Sequence, residues 1–293
     1  IYGRKESERF NELVRTRKNE YVTLDEKIRF SFDLDESVKR ADVTVISVGA
    51  QNLRGLLASM GEHKKEKIFL LCMKGIECPS GKRLTEVAIE EGINKGKVAV
   101  WVGPGHIQEF VKEKPNCMVI DSYDENLTKY LADSFRSDLI RFYYGDDVIG
   151  SEVGAAAKNV LGIAAGVLDG LGYETLKGAL MARGAREVSR LIAAMGGNPL
   201  SAYGLCHLGD YETTLFSPFS HNRAFGEALV KGIKYEKLAE GVMTSKAMKA
   251  LGEKYGVDLP ITTAVVKVSF EAGVTTDELL KLFARSPKSE FYS

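Results

Sequence analysis

Glycines occupy positions 150, 154, 162, 166 and 170, and every step between them is a multiple of four. In a helix such positions share one slowly turning stripe. The run GSEVGAAAKNVLGIAAGVLDG (150–170) therefore reads as a helix with a bare stripe, where another backbone or a ligand can come close. Position 158 falls on that stripe and is Lys, followed by Asn159. Desolvation in such a seam favours the neutral amine and suits it to proton transfer near neutral pH. The same spacing also describes a plain helix–helix contact with Lys158 snorkelling to water. Spacing alone does not choose between the two.

Upstream the chain alternates. ADVTVISV (41–48), KIFLLCM (67–73), VAVWV (98–102), CMVI (117–120) and IRFYY (140–144) read as strands, the first a β-branched run of the buried parallel kind. Helix-like segments at 7–16, 53–59, 83–91, 107–112 and 125–134 lie around and between them. This alternation predicts an α/β layer with a mostly parallel sheet, Rossmann-like, over residues 1–145. After Asp146 the helix-like runs are 150–171, 176–195, 223–230, 235–239, 244–255, 260–270 and 276–283, with no convincing strand. An all-α domain over 146–293 is expected, with 146–150 as the hinge. The first half would hold a nucleotide, and the second would cap the carboxyl ends of the strands, where such sheets bind ligands.

Charge removes other classes. Lys+Arg and Asp+Glu both number 40, so no basic excess exists to neutralise phosphates, and no nucleic-acid partner is expected. The longest apolar run, 160–171, is too short for a bilayer and contains Asp169. No signal peptide is evident. The four cysteines, 72, 78, 117 and 206, form no C-x-x-C pair, so no metal is expected and they read as reduced thiols of a cytoplasmic protein.

A dinucleotide fold should open with a strand, G-x-G-x-x-G and a helix. That fingerprint is absent. The chain begins Ile1-Tyr2-Gly3-Arg4-Lys5 without an initiator Met. Its first strand-like piece, at Ile1-Tyr2, reads as the end of a second strand. A basic pair there would accommodate the 2′-phosphate of NADP, whereas NAD favours an acid. The alternative is two solvated charges. On the first reading, roughly 25–30 residues, one strand–loop–helix unit, are expected upstream.

Several loops could carry chemistry. Lys74 follows a buried strand in MKGIE (73–77). WVGPGH (101–106) ends the next strand in a tight turn. Asp210 stands in a glycine-bounded turn, LGD. In SPFSHNR (217–223), Ser220 is a plausible N-cap beside His221, Asn222 and Arg223, and a helix N-terminus with such donors suits phosphate.

The order of KGIE (74–77), GPG (103–105), DDVIGSEVGAAAKNV (146–160), AAGVLDGLG (164–172), ARGAREVSRL (182–191), GLCHLGD (204–210), SPFSHNRAFG (217–226), EGVMTSKA (240–247) and LPIT (259–262) resembles the bacterial-type NAD(P)-dependent glycerol-3-phosphate dehydrogenase family over nearly the whole chain. The resemblance implies interconversion of sn-glycerol 3-phosphate and dihydroxyacetone phosphate with NAD or NADP, feeding phospholipid backbone synthesis, in a homodimer. It implies Lys158 as the proton donor and acceptor, with Lys74 and Asp210 completing the catalytic set. Substrate contacts would fall to Lys74, Gly103, Asn159, Asp210, Ser220, His221, Asn222 and Arg223. Cofactor contacts would fall to Arg4, Lys5, Lys74, Ile107, His221, Leu238 and Glu240.

This chain departs from the family pattern in three places. Gly105 lacks an expected hydroxyl. His221 replaces an arginine and cannot offer a bidentate fork. Ile107 replaces a small residue. Two other readings share the architecture: a hydroxyacid or ketopantoate-type reductase, whose substrate lacks the phosphate that 220–223 suits, and a catalytically impaired homologue that binds a nucleotide or a partner.

Overall fold

The structure is a computed structural model that describes residues 1–217, 219–271, 275–287 and 289–290. The chain divides into two compact units, Ile1–Met73 with Leu84–Val148, and Lys74–Arg83 with Ile149–Ser293. The segment after the second strand thus belongs to the helical unit, which a single cut near residue 146 does not provide for.

The first unit comprises α1 (Glu8–Thr16), α2 (Leu34–Arg40), β1 (Val43–Ile46), α3 (Leu53–Ala58), β2 (Ile68–Leu71), α4 (Leu84–Glu90), β3 (Val98–Val102), α5 (Ile107–Phe110), β4 (Asn116–Ser122), α6 (Glu125–Phe135) and β5 (Ile140–Tyr144). The five strands lie in sequence order in one sheet. β1, β2 and β3 pair in parallel, β4 runs antiparallel to β3, and β5 runs parallel to β4. The β-branched runs do make this mostly parallel sheet, and two of its inner strands are nearly inaccessible: Phe69, Leu70 and Leu71 of β2 and Val98 and Ala99 of β3 are fully buried. Local chemistry starts the helices. Ser7 caps α1 by accepting from Phe10 N, Asp33 caps α2 through Glu36 N, and Asp124 caps α6 through Asn126 and Leu127 N. Tyr2 forms only an isolated parallel bridge to Ser31, so the expected opening strand is a single bridge.

The second unit holds α7 (Val148–Gly170), α8 (Leu176–Ala194), α9 (Asp210–Phe216), α10 (His221–Lys231), α11 (Glu240–Tyr255), α12 (Pro260–Phe270) and α13 (Asp277–Leu280). Its core gathers around α7, whose residues from Val153 to Leu168 are almost wholly buried. The glycine stripe is a close-contact seam. A Cβ on Gly166 would stand 1.9 Å from the Arg223 carbonyl oxygen of α10, and one on Gly226 of α10 would stand 2.1 Å from the Ile163 carbonyl oxygen. Neither oxygen can yield without moving a helix.

Two expectations are corrected. Residues 235–239 are not helical. Gly232, at φ +63°, ends α10 in a left-handed cap, and the chain stays irregular until Glu240 opens α11. Conversely, the supposed turn at 208–210 is helical. A 3₁₀ stretch, Pro199–Tyr203, leads into a π-helical turn, Leu205–Gly209, and Asp210 begins α9 directly.

Candidate active site

Within the helical unit, α7 carries Lys158 into the core with only 9% of its surface exposed. Its Nζ donates to Asp210 Oδ1 at 2.8 Å and to Thr214 Oγ1 at 3.0 Å. Lys74 Nζ donates to the other oxygen of the same carboxylate, Oδ2. Asp210 is fully buried and so sits between two ammonium groups. Thr214, one turn further along α9, donates its own proton to the Asp210 carbonyl at 2.8 Å. It therefore meets Lys158 with a lone pair. An ammonium has three donors. Described residues engage two of those on Lys158, and the third has no described partner.

The electrostatics follow from burial. Desolvation lowers the Lys158 amine to about 8, with Lys74 adding to that and Asp210 opposing it. For Asp210, burial alone would raise the carboxyl, but the two lysines together hold it below its ordinary value. The pair is thus an anion locked in its charged form beside an amine able to exchange a proton near neutral pH.

A relay of amides fixes the position of Lys74. Asn159 Nδ2 donates to the Lys74 carbonyl at 3.1 Å, and Asn222 Nδ2 donates to Asn159 Oδ1 at 3.0 Å. Gly241 N donates to Asn222 Oδ1 at 2.9 Å. The segment 74–83 is also held by Arg83, whose Nη1 meets Glu152 of α7 at 2.7 Å with both side chains buried. Asn159 and Asn222, expected at the substrate, thus also hold the site together.

Gly162 lies one turn beyond Lys158. A Cβ there would meet Thr214 Cγ2 at 2.9 Å, Asn222 Cβ at 3.3 Å and Ser220 Oγ at 3.9 Å. The bare position lets the N-terminus of α10 approach the lysine. Ser220 caps that helix by accepting from Arg223 N, and His221 Nδ1 is hydrogen-bonded to Tyr235 Oη at 2.7 Å. Arg223 also has partners within the protein. Its Nη1 meets Asp169 at 2.9 Å and Glu227 at 3.5 Å, and its Nε donates to the Ser217 carbonyl. Its Nε and Nη1 are therefore engaged within the helical unit, as are both polar atoms of the Asn222 side chain. Pro218 of the same motif lies outside the described residues.

The remaining expected residues stand elsewhere. Leu238 is 68% exposed ahead of α11, and Glu240 is that helix's first residue. In the sheet unit, Gly103 adopts φ +129° at the end of β3, where a Cβ would stand 3.0 Å from Met118 Cα. Ile107 is exposed at the start of α5, and Arg4 and Lys5 are exposed just after Tyr2.

Two residues were not foreseen. Thr214 is signalled only by its i+4 spacing from Asp210, which requires knowing that Asp210 is helical. His207 is wholly buried in the π-turn, and its Nδ1 lies 2.8 Å from the Gly154 carbonyl. Since a carbonyl only accepts, Nδ1 carries the proton. Among the described residues no group of His, Cys, Asp and Glu could hold a metal ion, and no helix is long and apolar enough to cross a membrane. All four cysteines are free.

Comparison with known proteins adds sequence-wide likeness. The profile of the NAD-dependent glycerol-3-phosphate dehydrogenase N-terminus matches residues 1–128, and that of the C-terminus matches residues 147–281. A glycerol-3-phosphate dehydrogenase [NAD(P)+] of Prosthecochloris aestuarii is 37% identical over 95% of this chain and 89% of its own length. The crystal structure of glycerol-3-phosphate dehydrogenase from Coxiella burnetii superposes with a TM-score of 0.87 at 26% identity, covering 96% of this chain and 90% of that one. The yeast enzyme, at 20% identity and a TM-score of 0.79, covering 97% of this chain and 89% of that one, shares the fold.

Proposed function

Because the chain belongs to the NAD-dependent glycerol-3-phosphate dehydrogenase family, we propose that it interconverts sn-glycerol 3-phosphate and dihydroxyacetone phosphate with NAD(P)(H), with Lys158 as its acid and base. The observation that carries the assignment of Lys158 is its buried ammonium, paired to a locked carboxylate and keeping one donor for a ligand.

The sheet unit suits a dinucleotide. β1, β2 and β3 run parallel, and ligands of such sheets sit at the carboxyl ends. There Gly49 and Gly103 leave the backbone bare after β1 and β3, with Gly103 in a conformation that disfavours a side chain. Arg4, Lys5, Lys74, Ile107, His221, Leu238 and Glu240 are the residues assigned to hold it. When bound, the nicotinamide supplies the hydride to the substrate carbon or accepts it.

Negative charge develops on the substrate oxygen as its carbonyl is reduced. The Lys158 ammonium stabilises that charge through its third donor and then transfers its proton to the oxygen. In the reverse direction the neutral amine takes the alcohol proton. Asp210 and Thr214 hold Nζ in one place throughout, and Lys74 adds a second cation. The phosphate is assigned to Ser220, His221 and Asn222 at the N-terminus of α10, where backbone N–H groups and the helix dipole favour an anion. Gly103 is assigned a backbone contact to the substrate. A cytoplasmic homodimer supplying glycerol phosphate for lipid backbones completes the proposal.

The test is NAD(P)H oxidation with dihydroxyacetone phosphate. Lys158→Met is expected to lower kcat by at least about 10³-fold, the scale of a lost acid and electrostatic donor, while leaving the cofactor Kd nearly unchanged. In the wild type, ketone reduction needs the charged amine and should decline as pH rises through about 8. Alcohol oxidation needs the neutral amine and should rise over the same range. Wild-type turnover in the variant would remove Lys158 from the mechanism.

A further inference from the structure

The helix α8 presents Arg183, Arg186, Glu187 and Arg190 at spacings of three, four and seven, which places them on one stripe. With Arg285 they line a cavity of about 430 Å³ in the helical unit, within the size range of small-molecule sites. Leu180, Ile261, Leu282 and Phe283 contribute apolar wall.

Like charges at such spacing repel; Asp258 and Glu290 also line the cavity, and Glu187 feels the charge of Arg190 but turns its oxygens elsewhere. Glu187 is buried, and its carboxylate caps α12: it accepts from Ile261 N at 2.8 Å, Thr262 N at 3.0 Å and Thr262 Oγ1 at 2.7 Å. Two of the arginines hold backbone oxygens. Arg183 Nη1 donates to the Glu290 carbonyl and Arg190 Nη2 to the Asp258 carbonyl. The Arg190 Nε is buried without a partner. Among the described residues no carboxylate pairs within 4.0 Å with Arg183, Arg190 or Arg285. A guanidinium is a planar fork matched to carboxylate geometry.

We propose that this cavity binds an amphipathic anion, a carboxylate head on a short apolar chain, at a site that shares no residue with the Lys158 cluster. The head would answer the arginines, and the chain would cover the leucines, Ile261 and Phe283. A bare inorganic anion would leave that wall wet, and a neutral lipid would leave Arg183, Arg190 and Arg285 with no described carboxylate within 4.0 Å.

The experiment is calorimetric titration of the whole protein with octanoate at fixed ionic strength, alongside octan-1-ol and sodium sulfate. Octanoate should bind saturably at one site, at least tenfold more tightly than either control. The double variant Arg183→Gln/Arg190→Gln should weaken it at least tenfold. Arg285→Gln removes a side chain with no described bond, so it keeps the test valid should the double variant fail to fold, and it should weaken octanoate severalfold. Absence of saturable binding, equal binding of sulfate or octan-1-ol, or unchanged affinity in the folded variants would overturn the proposal. The readout does not pass through turnover, so its failure leaves the role of Lys158 untouched.

Discussion

His207 shows how a single buried group sets the pH range in which the fold holds. Burial drives its imidazole down from 6.5 to about 4, against the pull of the Gly154 carbonyl and Asp210. The folded pKa lies below the unfolded one, so the unfolded chain binds more protons between those values. Stability from this group is complete above about pH 6.5 and is lost as pH falls toward 4. The loss amounts to about 3 kcal/mol. Urea unfolding at pH 7, 6 and 5 should show about 2 kcal/mol of that fall in the wild type and a shallower decline in His207→Asn. Parallel curves would mean that the ring takes its proton elsewhere. Lys158 stood out on the glycine stripe, and Lys74 and Asp210 in glycine-flanked segments, but the roles expected of all three came from the family resemblance. His207 and Thr214 were not, because their significance comes from what folding brings beside them. For Arg223 the sequence shows a guanidinium beside a capping serine, which suits phosphate, but gives no sign that Asp169, 54 residues away, also reaches it.

At the scale of elements, the seam between α7 and α10 admits no additional carbon. Gly166→Ala would drive a methyl into the Arg223 carbonyl, and since both partners are backbone, one helix must shift. Overpacking usually costs about 1–3 kcal/mol, and about 3 or more is expected here. Gly178→Ala, on α8 with nothing within 4 Å of its added carbon, should instead be neutral or gain up to about 1 kcal/mol from helix propensity. Chemical denaturation of the two variants checks the contrast, and equal midpoints would contradict it. This seam was readable because its glycines are spaced at multiples of four residues. The segment 199–216 was not, because a 3₁₀ stretch, a π-turn and two glycines erase the 3.6-residue period before α9 begins. Residues 235–239 misled in the opposite sense, since helix-forming residues lie between a left-handed glycine cap and the next helix start.

For the whole molecule, the consequential fact is that ten residues from one half of the sequence belong to the compact unit of the other. Lys74–Arg83 supplies the helical unit with Arg83 for buried Glu152 and Lys74 for buried Asp210. A fragment of residues 149–293 should therefore unfold about 3–5 kcal/mol more easily than the same fragment with 74–83 fused through a flexible linker, the usual cost of stranding a buried charge. Urea melts followed by circular dichroism would compare them, and coincident melts would show that the segment is dispensable. The alternation of strand and helix revealed the α/β class and the helical half. It could not reveal this exchange, because nothing local in KGIECPSGKR marks which core its side chains join.

The carboxylate at 210 faces two ammonium groups, so these three side chains by themselves carry one net positive charge when both amines are charged. The fold carries that imbalance before any substrate arrives. On the proposed mechanism, an oxygen that turns negative during reduction would offset that charge, and most strongly at the moment the barrier is highest. Once Lys158 has given up its proton the amine is neutral, so on the proposed mechanism the positive charge returns only when the amine takes up a proton again, and that uptake resets the protein for the next cycle.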